Sequence, residues 1–103
     1  MPSFDLFGFK FFFFSNEFKA DGELEPVHIH VTDGSVLEKN SPKWWVGLNK
    51  CKRDDDQDLR HYGLKTSDLK KIEEIIKNNS STIIEMWADF FKGYDIEIHN
   101  DVK

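Results

Sequence analysis

Two histidines separated by a single residue, His28 and His30 in the stretch EPVHIHVT (residues 25–32), are the side chains of this 103-residue chain whose type and spacing best suit chemistry. On an extended strand they project from one face, about 6.6 to 6.8 Å apart along the chain, within reach of one ligand. Imidazole changes protonation near neutral pH, so one ring can take a proton while the other gives one, as in cleavage of RNA at a 2′-hydroxyl. In that reading Lys43, Lys50, Lys52 and Arg53 are the candidate phosphate or anion contacts. The pair also suits zinc or nickel, with His61, His99 or an aspartate of the 54–58 run completing the set. No third ligand stands at a diagnostic spacing, however, so the expectation is no metal and no cofactor. A third reading needs no chemistry: histidine fits a half-exposed sheet face, stacking on Phe or Trp and bonding a loop carbonyl.

Other suggestive residues carry less. The run DDDQD at 54–58 lacks the spacing and the glycine of a calcium loop and reads as a solvated segment. Cys51 lies between Lys50 and Lys52, which favours a thiolate, but no companion base is assignable and an inert thiol is expected. Trp44, Trp45 and Trp87 read as core or interface anchors before they read as a platform for stacking bases.

The elements that must position these groups follow from periodicity. FKFFFF (9–14) is a strand with Phe9, Phe11 and Phe13 on one face and Lys10, Phe12 and Phe14 on the other. VHIHVT (27–32) is a second, with Val27, Ile29 and Val31 opposite His28, His30 and Thr32. KWWVGL (43–48) is a third, with Trp44, Val46 and Leu48 opposite Trp45, and the charged run KCKRDDDQDLR after it breaks all periodicity. From Ser67 the period becomes helical: Leu69, Ile72, Ile75 and Ile76 form one stripe, with Thr66 or Ser67 as N-cap. After NNSS, Ile83, Ile84, Trp87, Phe90 and Phe91 form a second stripe, with capping-box spacing at Thr82 and Glu85 and Gly93 placed to end it. One long kinked helix is the alternative. The tail YDIEIHN alternates and is a candidate late strand. Strands first and helices last predict an α+β fold, a small antiparallel sheet of three or four strands followed by two C-terminal helices packed on one face. Residues 1–92 form the expected single domain and 93–103 the tail.

Ten phenylalanines and three tryptophans supply core enough for one such domain. The net charge of −5 argues against a nonspecific nucleic-acid binder. Only residues 39–71, with nine bases against five acids, suit an anion, so RNA is disfavoured as a partner. One cysteine, and no apolar run near the roughly 20 residues of a membrane span, make the cytoplasm the expected compartment, with no membrane partner. Aromatic residues on both faces of strand 9–14 predict a homodimer or a protein partner, because so small a domain has few layers with which to cover a second apolar face.

The order of FGFKFFFFSNE, EPVHIHV, PKWWV, LKKIEEIIKNN and IIEMWADFF resembles the small bacterial proteins grouped as domain of unknown function family 4160. The resemblance runs over roughly residues 1–92, and its most specific element is His-x-His-Val following the Ser-Asn-Glu turn. Val27 stands where the family usually has a second proline. The family's genes are often found beside that of another small protein, a layout like that of toxin and antitoxin pairs. The resemblance therefore implies an interaction module in a two-gene toxin and antitoxin-like system, with a partner encoded nearby. A ribonuclease-like toxin using His28 and His30 as general acid and base is the alternative.

Overall fold

The structure, a computed structural model, describes residues 2–34, 41–54 and 64–98. Its elements are β1 (Ser3–Leu6), β2 (Phe9–Phe12), β3 (His28–Thr32), β4 (Lys43–Gly47), β5 (Lys50–Arg53), α1 (Thr66–Asn78) and α2 (Ser80–Phe90). The strands form one antiparallel meander in the order β1-β2-β3-β4-β5, so the α+β expectation holds, with five strands in place of three or four. The two additional strands are the sheet edges. In β1 the alternation is only four residues long, with Phe4 and Leu6 packing against the core and Ser3 and Asp5 exposed. In β5 the alternation rests on Cys51 alone, buried between the exposed Lys50 and Lys52. A charged edge strand of this kind also discourages pairing with another chain.

Local chemistry sets the two tight connections. Phe7 and Gly8 both have positive φ, at 52° and 85°, the handedness that a two-residue hairpin between right-twisted strands requires. Asn49, at φ 56°, closes the β4–β5 turn, in a conformation asparagine tolerates better than most side chains. Leu48, expected to share a face with Trp44 and Val46, is more than half exposed in that turn.

The helices cover one face of the sheet. Phe9, Phe11, Phe13, Val27, Ile29, Val31, Trp44, Val46 and Cys51 meet Ile72, Ile75 and Ile76 of α1 and Ile83, Trp87 and Phe91 at the end of α2 in one buried cluster. Trp44 also donates its indole N–H to Glu73 of α1 at 3.0 Å, tethering the helix to β4. The two helices are separated by Asn79 alone, whose φ of −116° and ψ of 14° break the spiral, so the stripes belong to two nearly contiguous helices. The N-cap of α1 is Lys65, not Thr66 or Ser67: the Asp68 carboxylate accepts the Lys65 amide at 3.2 Å. Likewise α2 starts at Ser80, ahead of the Thr82 and Glu85 pair, because the Asn79 carbonyl already accepts from Ile83. In the tail, Val27 donates to the Glu97 carbonyl at 2.8 Å and Ile96 and Ile98 pack against the core, but residues 95–98 carry no strand pairing.

Candidate functional site

His28 and His30 leave β3 on the side away from Ile29, as alternation requires, although the His28 ring also reaches Trp87 of α2. Strand register sets their neighbours: Phe12, His30 and Lys43 stand in one row across β2, β3 and β4, and His28, Trp45 and Lys52 in the next across β3, β4 and β5. Residues paired across antiparallel strands share a face, which places Lys43, Lys50 and Lys52 with the histidines. Arg53 pairs with Trp44 and so belongs to the helix face. The four cations therefore do not form one anion site. Lys43 is moreover engaged, with its ammonium 3.2 Å from Glu25 and 4.4 Å over the Trp45 ring.

A carboxylate joins the two imidazoles. The chain leaves β2 at Phe12 and turns at Ser15 and Asn16. It is fixed by a bridge between Phe18 and Leu24 and by the Glu25 amide donating to the Glu17 carbonyl at 3.0 Å. This fold-back drops Glu17 onto β3. Its Oε2 lies 2.9 Å from His30 Nε2 and 3.1 Å from His28 Nε2, and accepts the Phe14 amide at 3.1 Å. The His30 contact has hydrogen-bond geometry; the His28 contact has the distance without the alignment, and its Nε2 has no hydrogen-bond partner.

The rings are held from behind. His28 Nδ1 is 3.0 Å from the Pro26 carbonyl, and His30 Nδ1 is 3.3 Å from that of Ser41. A carbonyl oxygen only accepts, so both Nδ1 atoms carry their protons, and both Nε2 atoms face Glu17. Aromatic rings wall the cluster: Phe12 and Phe14 lie against His30, and Trp45 and Trp87 against His28. His28 is fully buried and Glu17 is 8% exposed, while the His30 side chain reaches the surface with 12% exposure. Burial alone pushes the Glu17 carboxyl up, but the two histidines and the Phe14 amide together hold it well below the usual carboxylate range.

Among the described residues, Glu17, His28 and His30 form a group whose ligand-type atoms all lie within 4.8 Å of one another. Of the expected third ligands, His61, His99, Asp55, Asp56 and Asp58 fall outside the described residues, and Asp54 accepts the Trp45 indole N–H at 3.4 Å. Glu17 is the residue that spacing could not find. It is 11 positions from His28, and its one signal is an acid at the end of a polar turn directly after an aromatic strand. Cys51 is buried, a setting that disfavours the reactive thiolate. It faces the helix side, its thiol 3.8 Å from the Glu73 carbonyl, and burial, with Glu73 nearby, pushes its pKa up to about 12.

No helix of the described residues is long and apolar enough to cross a membrane. No curated protein and no solved structure matches the chain. The family model described as Domain of unknown function (DUF4160) matches residues 8–88, which include the whole of β2 to α1, the Glu17 fold-back and the histidine strand, and the chain belongs to that family.

Proposed function

We propose that this domain is an interaction module of a two-gene toxin and antitoxin-like system, binding a protein encoded beside its own gene. The observation that carries this reading is Phe7. A bulky aromatic in the left-handed region costs on the order of 1–2 kcal/mol, and this one is also 81% exposed. Glycine or asparagine would make the same hairpin without that cost. Strain of this kind is kept where the side chain has work outside the fold. Phe7 borders a groove with Lys71, Glu74, Ile75 and Asn78 of α1, a place for a partner's apolar side chain beside an aromatic anchor. The test is co-expression with the protein of the adjacent reading frame. A complex that co-elutes with the wild type and is lost in Phe7→Asn, with thermal stability equal or higher, supports the module. Equal binding by Phe7→Asn, or a gene with no small neighbour, defeats it.

The ribonuclease-like reading draws on a separate observation, the exposure of Lys50 and Lys52 on the histidine face. The full burial of His28 weighs against it, since an acid and base pair must both reach the substrate. Growth arrest on expression that disappears in a folded His30→Ala variant supports the enzyme. A wild type harmless on expression removes it.

A further inference from the structure

We infer that Glu17, His28 and His30 form a binding site for a single first-row divalent transition metal ion, zinc foremost, with one coordination position left for water or a partner's ligand. The donor arrangement carries the inference. Each Nδ1 proton is committed to a backbone carbonyl, 3.0 Å away for His28 and 3.3 Å for His30, so a neutral ring presents its Nε2 lone pair to the point where Glu17 Oε2 also converges. Metal-ligating histidines are oriented in this way, with the far ring nitrogen donating to a carbonyl or carboxylate.

Protons alone do not satisfy the cluster. A proton on His30 Nε2 answers its 2.9 Å contact to Glu17. His28 Nε2 then remains fully buried without a hydrogen-bond partner, 3.1 Å from the same oxygen and out of line with it. Moving the His28 proton to that nitrogen would turn a bare Nδ1 lone pair onto the Pro26 carbonyl, and adding a second proton would make a fully buried imidazolium whose Nε2–H still points out of line with Glu17. A buried polar atom left in this state costs about 1–3 kcal/mol. A cation among the three donors satisfies both nitrogens and the carboxylate together.

Two of the three donor separations match, and the third, between the two Nε2 atoms, lies within 4.8 Å. Tetrahedral zinc with bonds of about 2.0–2.1 Å holds neighbouring donors roughly 3.3 Å apart, close to the observed 2.9 and 3.1 Å. Two imidazoles and one carboxylate suit zinc and its neighbours in the first row better than magnesium or calcium, which take oxygen donors. Three protein ligands leave the fourth position open, and His30 is the ligand at the surface. The wall of Phe12, Phe14, Trp45 and Trp87 shields the centre and fixes both rings.

The test is calorimetric titration of zinc chloride into full-length, chelator-stripped protein, with cobalt chloride as an optical probe. The expected result is one ion per chain, a visible cobalt band of the tetrahedral type, and at least a tenfold loss of affinity in both Glu17→Gln and His30→Gln. Circular dichroism confirms that these two variants are folded; they are chosen because His28→Ala opens a hole in a buried aromatic wall. Histidine nitrogen resonances give an independent readout, since zinc should shift both Nε2 signals and leave both Nδ1 atoms protonated. Absence of binding to the wild type, binding unchanged in the two variants, or Nε2 signals that zinc does not move would each overturn the site.

Discussion

His28 and His30 are two residues apart on one strand, yet they have different physical positions. The ring of His28 is enclosed by Trp45, Trp87 and His30, whereas that of His30 meets solvent at its edge. Replacing His28 by alanine removes a buried ring and orphans the Pro26 carbonyl, an expected loss of about 1–3 kcal/mol. His30→Ala should cost less, and chemical denaturation of metal-free protein compares the two. Cys51 provides a second residue-scale prediction. Its thiol, pushed up to about 12 from an ordinary 9.0, should resist alkylation at pH 8 in the native state and react only on unfolding. The raised value means that the folded state holds the proton more tightly. Its stabilising contribution is therefore complete below about pH 9 and is lost as the pH rises towards 12, which thermal melts of wild type and Cys51→Ala would reveal as a stability difference that is constant below about pH 9 and shrinks only above it.

At the scale of elements, the sheet and the helices are joined by a few polar contacts that periodicity does not reveal. The Asn49 amide donates to Ser80 Oγ at 2.9 Å, pinning the β4–β5 turn to the first residue of α2. Ser80→Ala removes that hydrogen bond, and a loss of about 0.5–1.5 kcal/mol in denaturant melts is expected. The β1–β2 turn carries the opposite expectation. Phe7→Asn relieves a left-handed aromatic that buries little, and the melting temperature should stay level or rise.

At the scale of the whole molecule, the second face of the sheet is closed at one end by the chain itself. Phe12, one of the aromatics that suggested a partner-covered face, is fully buried against Phe14 and His30 beside the Glu17 fold-back, while Phe14 is only partly covered. That leaves the partner prediction to rest on Phe7 and its groove. The same end of the molecule is tied by the tail: Val27 donates to Glu97, and Ile96 and Ile98 lie on the core. Ending the chain after Gly93 should therefore lower the melting temperature and expose the Val27 amide to hydrogen exchange, which a mass-spectrometric exchange experiment on the two lengths measures.

The alternation of Val27, Ile29 and Val31 with His28, His30 and Thr32 was enough to place both histidines on the side of β3 opposite Ile29, because a strand's period of two leaves no other arrangement, but the full burial of His28 against Trp87 of α2 was decided by packing. The Phe9, Phe11 and Phe13 set and the two isoleucine-rich stripes determined the layers in the same way, through burial at a regular spacing. The edge strands escaped this reading. Four residues of β1 are too few to establish a period, and β5 has a single apolar side chain, so both are strands because a neighbour supplies their hydrogen bonds. Arg53 was grouped with the lysines by proximity in the chain, but pairing between β4 and β5 sends it to the other face. Glu17 depended most on tertiary structure. Nothing periodic links it to His28 and His30; it arrives through a non-repeating turn, and only the folded chain brings its carboxylate within 2.9 and 3.1 Å of the two imidazoles, where three donors from two segments share one point.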